Sequence, residues 1–293
     1  MSNTEFPNDW PAPGPIDLRL HDLPHASATT EWWYLNAHLE AADGRAFSLF
    51  AAFFRIVRRV VAGKPEYAHS LTWGLTDVAK QEYVARSFVD ANAPSIGLER
   101  IASGQGARDE RLNRAVKEVL EVGHVPLPDR FFPGPVSVAT DRLALDYGGL
   151  QFEKTRDGEY RLKVGSKEGP RSPCGAELTF LLKKPPIRHG DEGVVRGVHG
   201  EDMFYVFVPR CEVQGTVTLD GAPLQVKGQG WYDHEFGCHV KRADAPAQPP
   251  AKSDLGVVAW NWVSAQLDDG TDVSVYDLVH SETKESRGRW AIV

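Results

Sequence analysis

Apolar and polar residues alternate with a period of two in several segments of this chain, which predicts β-strands. The alternating apolar positions are Tyr160, Leu162 and Val164; Leu178, Phe180 and Leu182; Val213, Val217 and Leu219; and Val273 and Val275. Four Asp-Gly pairs, at residues 43–44, 157–158, 220–221 and 269–270, separate short segments of apolar character. Because Asp-Gly supplies the positive φ angles that tight hairpins require, the pattern predicts an antiparallel β-meander.

One segment follows the helical period instead. Its apolar positions at i, i+3, i+4, i+7 and i+8 are Leu112, Ala115, Val116, Val119 and Leu120. Asp109 is suited to cap the N-terminus, and Gly123 is suited to end the helix. The sequence therefore predicts one inserted amphipathic helix near residues 109–122, which we expect to pack on the sheet.

A segment rich in Pro and Ala, residues 241–252, divides the β pattern. Proline cannot join a ladder in the middle of a sheet, so this segment is predicted to be a linker or long loop. The predicted organisation is an N-terminal domain over residues 1–241, a linker over 242–255 and the start of a second β-domain over 256–293. We expect the second domain to be incomplete, because about 40 residues are too few for an independent β-domain.

Composition and charge exclude several classes of function. The chain has 293 residues, and its 33 Lys and Arg against 40 Asp and Glu give a net charge of −7, which argues against a nucleic-acid partner. The basic stretch Arg55–Arg59 is interrupted by apolar residues, as in an ordinary strand. No apolar run approaches the ~18 residues of a membrane span, and residues 1–15 are polar and Pro-rich, without the apolar stretch typical of a signal peptide. The three cysteines, Cys174, Cys211 and Cys238, have no CxxC spacing, so we expect a cytoplasmic protein.

Eight tryptophans are unusually many for this length, and five of them fall in three short clusters. The first cluster, residues 31–39, reads EWWYLNAHL. On a strand, Glu31 and Trp33 share one face, while Trp32 and Tyr34 share the other. A carboxyl group among apolar neighbours has its neutral form favoured, as a general acid requires, so Glu31 is a candidate acid. The alternative is a solvated Glu31 at the end of the strand.

The second cluster, residues 228–237, reads GQGWYDHEFG. As a strand it places Trp231, Asp233 and Glu235 on one face and Tyr232 and His234 on the other. Carboxylates beside aromatic residues favour a functional site. A structural role, with Asp233 or His234 binding backbone amides, is the alternative.

The third cluster, residues 260–267, reads WNWVSAQL. Trp260, Trp262 and Gln266 share a face, which suits the aromatic wall of a ligand pocket with a polar end. Core packing explains the same pattern. The spacing of the histidines and cysteines around His234 matches no common zinc site, so no metal is expected.

The order of these segments along the chain is similar to that in one known protein family. EWWY, then PPI before a Gly-rich loop, then GQGWYDHEFG, WNWVSAQLDDG and a closing Tyr resemble the AttH / carotenoid 1,2-hydratase (CrtC-like) family over residues 24–278. The resemblance implies two lipocalin-like (streptavidin- or calycin-like) antiparallel β-barrels or sandwiches, a hydrophobic pocket near their junction and no cofactor. The family includes carotenoid hydratases, a hydratase of a prenylated plant phytoalexin and fungal polyene Diels–Alder cyclases.

Two departures from the family pattern qualify the expectation. In the family the C-terminal barrel continues well past the point that corresponds to residue 293, so we expect either a fragment or half of a split or cleaved protein whose remaining strands come from a second chain. The carotenoid hydratases have His and Trp on the strand before the DHE motif, where this chain has residues 203–207, MFYVF. That difference weakens carotenoid hydration and leaves polyene cyclisation open.

The expected function is a cofactor-independent enzyme that binds a polyene, isoprenoid or polyketide in one aromatic pocket and hydrates or cyclises it. It would be a lyase of the hydratase type or an isomerase of the Diels–Alderase type, and a non-catalytic carrier of hydrophobic molecules is the alternative. The candidate catalytic residues are Asp233 first, then Glu31 and Glu235, with Tyr34 and His234 orienting water or substrate. The candidate substrate-binding residues are Trp32, Trp33, Trp231, Tyr232, Phe204, Trp260, Trp262, Gln266 and Tyr276.

Overall fold

The structure, a computed structural model, describes residues 5–107, 109–190, 192–196, 201–239 and 258–293. The helices in these ranges are α1 (Leu18–His21), α2 (Ala93–Ala102) and α3 (Glu110–Glu121). The strands are β1 (Thr30–Ala41), β2 (Ala46–Val61), β3 (Lys64–Asp77), β4 (Glu82–Val89), β5 (Asp129–Phe131), β6 (Val136–Val138), β7 (Ala144–Tyr147), β8 (Leu150–Arg156), β9 (Glu159–Ser166), β10 (Cys174–Leu182), β11 (Ile187–Arg188), β12 (Val194–Val195), β13 (Glu201–Leu219), β14 (Ala222–His239), β15 (Val258–Gln266), β16 (Asp272–His280) and β17 (Ser286–Ile292).

Most strands form one large sheet in the order β5-β4-β3-β2-β1-β14-β13-β10-β9-β8-β7-β6, with β11 and β12 both paired to β13. A small sheet has the order β15-β16-β17. All neighbours run antiparallel except β4 and β5. The predicted all-β antiparallel fold is confirmed, and the seam of the large sheet joins β1 to β14, two strands far apart in sequence.

The large sheet curls until its two arms meet around one core. Tyr147 of β7 donates a hydrogen bond from its hydroxyl to the carbonyl of Phe54 in β2 at 3.1 Å. Phe53 of β2 packs against Tyr147 and Phe152, with ring centroids 5.2 and 6.1 Å apart. We call the side of the sheet that faces this core the interior and the opposite side the outer face.

The four predicted Asp-Gly turns are all present between paired strands, with φ angles of +81° at Gly44, +73° at Gly158, +75° at Gly221 and +88° at Gly270. The predicted alternation also holds in β9, where Tyr160, Leu162 and Val164 are buried.

Strand β16 reverses the predicted alternation. Val275 is exposed, whereas Ser274 and Tyr276 are buried. The reason is that the small sheet turns the face bearing Tyr276 toward the large sheet, where Tyr276 packs with Tyr205 and Phe207. Tertiary packing therefore overrides the local apolar pattern there.

The predicted helix is confirmed as α3, and the Asp109 side chain caps it by accepting a hydrogen bond from the Arg111 backbone N–H at 2.9 Å. Two further helices, α1 and α2, are also present. Helix α2 contains Pro94 and Gly97, residues of low helix propensity that hide it in the sequence. A Cβ at Gly97 would lie 2.6 Å from the Leu120 side chain, so packing on α3 supports α2.

None of the helices among the described residues is both long and apolar enough to cross a bilayer. The predicted linker, residues 242–255, lies outside the described residues. All three cysteines are buried and free.

Polar contacts hold the small sheet against the large one. Asp272 of β16 pairs with Arg210 at 2.8 Å and with Lys184 at 2.6 Å. Gln266 of β15 donates from its amide to the carbonyls of Pro209 at 2.7 Å and Gly230 at 2.9 Å. These contacts place β15 and β16 over the outer face of β13 and β14.

The glycines of the GQG sequence allow β1 and β14 to approach closely. A Cβ at Gly228 would lie 1.9 Å from the carbonyl oxygen of His38, and one at Gly230 would lie 2.8 Å from that of Asn36. Because backbone cannot move aside as a side chain can, these two positions exclude every larger residue without a shift of the seam.

We therefore expect Gly228→Ala to lower the free energy of unfolding by about 1–3 kcal/mol, the usual cost of overpacking. Urea denaturation at neutral pH measures the change. Lys227→Ala, an exposed change on the same strand, is the control and should stay within about 0.5 kcal/mol of the parent. Equal stability of Gly228→Ala and the control would contradict the close approach.

Candidate active site between the two sheets

The alternation of β14 divides its titratable residues between two environments. Trp231, Asp233 and Glu235 lie on the outer face, under the small sheet, while Tyr232 and His234 point to the interior. Both groups are buried. What differs is the set of partners that each group meets.

Asp233 is buried in an aromatic environment with neutral hydrogen-bond donors. Its Oδ1 accepts from the Trp231 indole N–H at 2.8 Å and from the Tyr205 hydroxyl at 2.9 Å. Burial raises the pKa of Asp233 to about 7, and the two donated hydrogen bonds only moderate the rise. Asp233 is therefore a carboxyl group that can hold and release a proton near neutral pH.

Glu235 lies two residues along the same face and is only 5% exposed. Burial, with the charge of Asp233 second, raises the pKa of Glu235 well above its ordinary value. Its carboxyl group has no hydrogen-bond partner among the described residues, so it is a buried neutral acid.

Aromatic rings from both sheets surround these acids. Trp231 stacks on Phe207 with centroids 5.0 Å apart and meets the edge of Trp262 at 5.8 Å. Trp262 in turn meets the edge of Tyr34 at 5.7 Å. Tyr276 completes the layer from β16. An apolar, π-rich wall of this kind suits an unsaturated substrate or a developing cation.

A cleft of about 920 Å³ reaches this layer at Trp231. Its lining is mixed in polarity and includes Asn36 and His38 from β1, Gln229 from β14 and Gln266 from β15. The cleft therefore connects the aromatic layer with solvent between the two sheets.

The interior holds a different cluster around Glu31, which is fully buried. Its carboxylate accepts from Arg55 at 2.5 Å, from the ring nitrogens of His25 and His234 at 2.9 Å each, and from the His25 backbone N–H. Burial alone would raise the pKa of Glu31, but these partners outweigh it and hold the pKa at about 2. The expectation of Glu31 as a neutral general acid is therefore wrong.

His234 links Glu31 to a second interior carboxylate. Asp22, at the C-terminus of α1, lies 3.4 Å from His234 Nδ1 and accepts hydrogen bonds from the hydroxyls of Tyr160 and Tyr232 at 2.5 Å each. Burial lowers the pKa of His234, but hydrogen bonds and charge interactions with Asp22 and Glu31 give a net rise. The raised pKa favours the charged form of His234, whose ring lies between the two carboxylates and ties the N-terminal segment to β14.

His25, Glu31 and His234 bring possible metal-ligand atoms within 4.8 Å of one another. The Arg55 guanidinium already places a positive charge on Glu31, and both imidazoles are hydrogen-bonded to the same carboxylate oxygen. This donor set fits a hydrogen-bonded ion cluster better than a metal site.

The structure separates the candidate site residues into several places, so the expectation of one shared pocket is wrong. On the outer face of the large sheet, or on the part of the small sheet that covers it, lie Trp32, Tyr34, Trp231, Asp233, Glu235, Trp262, Gln266 and Tyr276. In the interior lie Glu31, Trp33, Tyr232 and His234.

Two further candidates lie apart from both groups. Phe204 faces away from Tyr205 and packs with Trp10 and Phe236 at the N-terminal segment. Trp260 is 60% exposed. For Phe204 the physical cause is the two-residue period of strands, which sends it and Tyr205 to opposite faces.

Several residues of these sites carry no motif in the sequence. Tyr205, which binds Asp233, lies in the segment 203–207, whose one distinctive feature in the sequence is that it lacks the His and Trp of the carotenoid hydratases. Asp22 and His25 precede the first strand. Arg55 belongs to a stretch interpreted as an ordinary strand. Arg55 is buried opposite Glu31 because β1 and β2 pair in this register. Only a prediction of how these two strands pair would have brought Arg55 and Glu31 together.

The model of the AttH-like family matches residues 12–292. No curated protein sequence matches this chain.

Two solved structures share the fold. A putative AttH from Nitrosomonas europaea has a TM-score of 0.63 and 17% identity, over 95% of this chain and 69% of that one. Kievitone hydratase from Nectria haematococca has a TM-score of 0.55 and 13% identity, over 92% of this chain and 62% of that one. This chain thus spans less than two thirds of kievitone hydratase.

Removing the interior carboxylate is expected to destabilise the protein strongly. Glu31→Gln leaves Arg55 buried without its counter-charge, and such a loss costs about 3–5 kcal/mol. Urea denaturation at pH 7 measures it, with Glu40→Gln, an exposed change on the same strand, as the control. A loss under about 1 kcal/mol would show that the network contributes little.

The raised pKa of Asp233 predicts a pH dependence of stability. When a carboxyl group has a higher pKa in the folded than in the unfolded state, the folded protein becomes less stable as pH rises from the ordinary pKa to the folded pKa. For Asp233 this window runs from about 4 to about 7. Asp233→Asn cannot ionise, so its stability relative to the parent should rise across this window by about 4 kcal/mol. Urea denaturation at pH values from 4 to 8 tests this, and Asp141→Asn, which is exposed, should follow the parent. Parallel curves for Asp233→Asn and the parent would contradict the assignment.

Proposed function

This chain belongs to the AttH-like family, and we propose that it is a hydratase-like enzyme that adds water to a double bond of a hydrophobic isoprenoid or polyene. The observation that carries the proposal is the buried Asp233, whose pKa is raised to about 7 between Trp231 and Tyr205. The fold that the chain shares with kievitone hydratase supports the same reaction type.

Hydration of a trisubstituted alkene begins with proton transfer to carbon, which leaves a tertiary cation. The acid must therefore be protonated at the working pH and must lie in a site from which bulk water is excluded. Asp233 meets both conditions. Glu235, which is also neutral, adds no negative charge that would hold the proton back.

The aromatic layer stabilises the cation. Each ring face of Trp231, Trp262 or Tyr34 that meets the charge contributes about 0.5–2 kcal/mol. Water then attacks the cation, and the alcohol leaves through the cleft beside Trp231. The proposal needs no metal or organic cofactor, because an acid, an aromatic wall and water suffice for this reaction.

A cyclisation of the Diels–Alderase type is the second candidate, favoured because residues 203–207 lack the His and Trp that the carotenoid hydratases carry on the strand before the DHE motif. In that reaction the aromatic layer folds the polyene into a reactive conformer. The Asp233 carboxyl group is then dispensable, which separates the two reactions.

The test compares the parent protein with Asp233→Asn on kievitone and on the acyclic carotene lycopene. We expect the parent to form a product heavier by one water, and Asp233→Asn to form it about 10²–10⁴-fold more slowly, the usual contribution of general acid catalysis. Liquid chromatography with mass spectrometry measures the product, and Asp141→Asn should retain full activity.

Three other outcomes contradict hydration by Asp233. A product of unchanged mass that Asp233→Asn also forms points to cyclisation. Quenching of tryptophan fluorescence with both ligands recovered intact points to a carrier. Undiminished hydration by Asp233→Asn removes Asp233 from the mechanism.

A further inference from the structure

His189 is a buried polar residue that neither the fold nor the proposed acid step requires. It follows β11 and lies opposite Tyr205 of β13, where its backbone N–H donates to the Tyr205 carbonyl at 3.0 Å. Its side chain is fully buried, yet neither Nδ1 nor Nε2 has a hydrogen-bond partner among the described residues.

The imidazole belongs to the layer that contains the proposed acid. It stacks on the Tyr205 ring with centroids 4.7 Å apart and planes 3° apart, and it meets the edge of Tyr276 at 5.5 Å. The Tyr205 hydroxyl donates to Asp233. One aromatic side chain therefore connects His189 to the carboxyl group of the acid.

Glu235 is a second titratable group in the same layer, buried and without a hydrogen bond among the described residues. It lies opposite Tyr205 on β14, as His189 does on the other side, so the three residues form one row across the outer face. Buried polar side chains are hydrogen-bonded in the great majority of cases. Both ring nitrogens of His189 are such exceptions, which indicates a missing polar partner, and the row places Glu235 on the other side of the same Tyr205 residue.

The chemistry of the two groups defines that partner. A neutral imidazole offers one donor and one acceptor, and so does a protonated carboxyl group. The oxygen of water can accept two hydrogen bonds and donate two, and a hydroxyl group can accept two and donate one. Either matches this pair, whereas a hydrocarbon satisfies neither.

We propose that His189 and Glu235 form an oxygen-binding subsite beside Asp233, which holds the water molecule that adds to the alkene or a hydroxyl group of the substrate. The catalytic part of the proposal rests on the hydratase function proposed above. The binding part stands without it.

When the subsite holds water, the Asp233 carboxyl proton forms a new C–H bond as the π bond breaks, which leaves a carbocation and the Asp233 carboxylate. The water oxygen bonds to the cation, and its surplus proton passes to a ring nitrogen of His189. Return of that proton through solvent to Asp233 restores both groups, and the net change is alkene plus water to alcohol.

His189 is suited to accept that proton. Burial lowers the pKa of His189 to about 4, so the ring is neutral at physiological pH and keeps a free acceptor nitrogen. A protonated alcohol is a far stronger acid than an imidazolium ion, so even a weakened base removes its proton.

The binding test uses a matched pair of probes, 2-methylhept-2-ene and its hydration product 2-methylheptan-2-ol. Titrations followed by tryptophan fluorescence should show that the parent binds the alcohol about tenfold more tightly, as one or two buried hydrogen bonds provide. His189→Phe should remove the preference, while His124→Phe, on the surface after α3, should keep it. His189→Gln, which retains a donor and an acceptor, should restore part of it.

Glu235→Met carries the test if His189→Phe does not fold, since it removes the other half of the subsite and should also reduce the preference. Equal affinity of the parent for the two probes, absence of alcohol binding, or an unchanged preference in both His189→Phe and Glu235→Met would overturn the proposal.

A second measurement separates this proposal from the proposed function. In D₂O, His189→Phe should still place deuterium in recovered lycopene but should form the alcohol at least about 100-fold more slowly, whereas Asp233→Asn should do neither. If the alcohol preference depends on His189 but the parent hydrates no probe, the hydratase function fails and the subsite stands. Slower hydration of lycopene by His189→Phe than by the parent identifies bound water as the ligand of the subsite. An increase in the KM of His189→Phe that is confined to the hydroxylated kievitone identifies a substrate hydroxyl group.

Discussion

The pairing of β1 with β14 is the constraint on which the rest of the structure depends. It joins residues about two hundred positions apart, from Thr30 opposite Gly237 to Ala41 opposite Val226. Because side chains alternate along each strand, this register decides which residues enter the interior and which lie under the small sheet. A slip by one residue would exchange the two sets, and Gly228 and Gly230 keep the seam close enough to hold the register.

The two faces show how partners, and not burial alone, set the chemistry of a carboxyl group. Glu31 and Asp233 are both buried, and burial raises the pKa of each. In the interior, Arg55 and two histidines reverse the effect and keep Glu31 charged. On the outer face the donors are neutral, so Asp233 holds its proton. One face is therefore suited to hold the fold together and the other to transfer a proton.

The hydrogen bonding of the buried carboxyl groups also differs between the two faces. The interior carboxylates of Asp22 and Glu31 are fully engaged by tyrosine, histidine and arginine side chains. Under the small sheet, both ring nitrogens of His189 lack a hydrogen-bond partner among the described residues. An unmade hydrogen bond of a buried group lowers stability, so the two unpartnered ring nitrogens of His189 are consistent with a site that is completed by a ligand.

The sequence alone determined the strands, the four Asp-Gly turns, helix α3 and the family resemblance, because strand period, turn chemistry and capping act over a few neighbouring residues. It also singled out Asp233 as the candidate acid, since a carboxyl group between aromatic residues is visible in one short motif. Only the tertiary structure decided that Glu31 is a structural anion, that Phe204 and Trp260 lie elsewhere, and that Tyr205 and His189 join the site. Those facts depend on strand register and on long-range pairing, which bring together residues that carry no mutual signal along the chain.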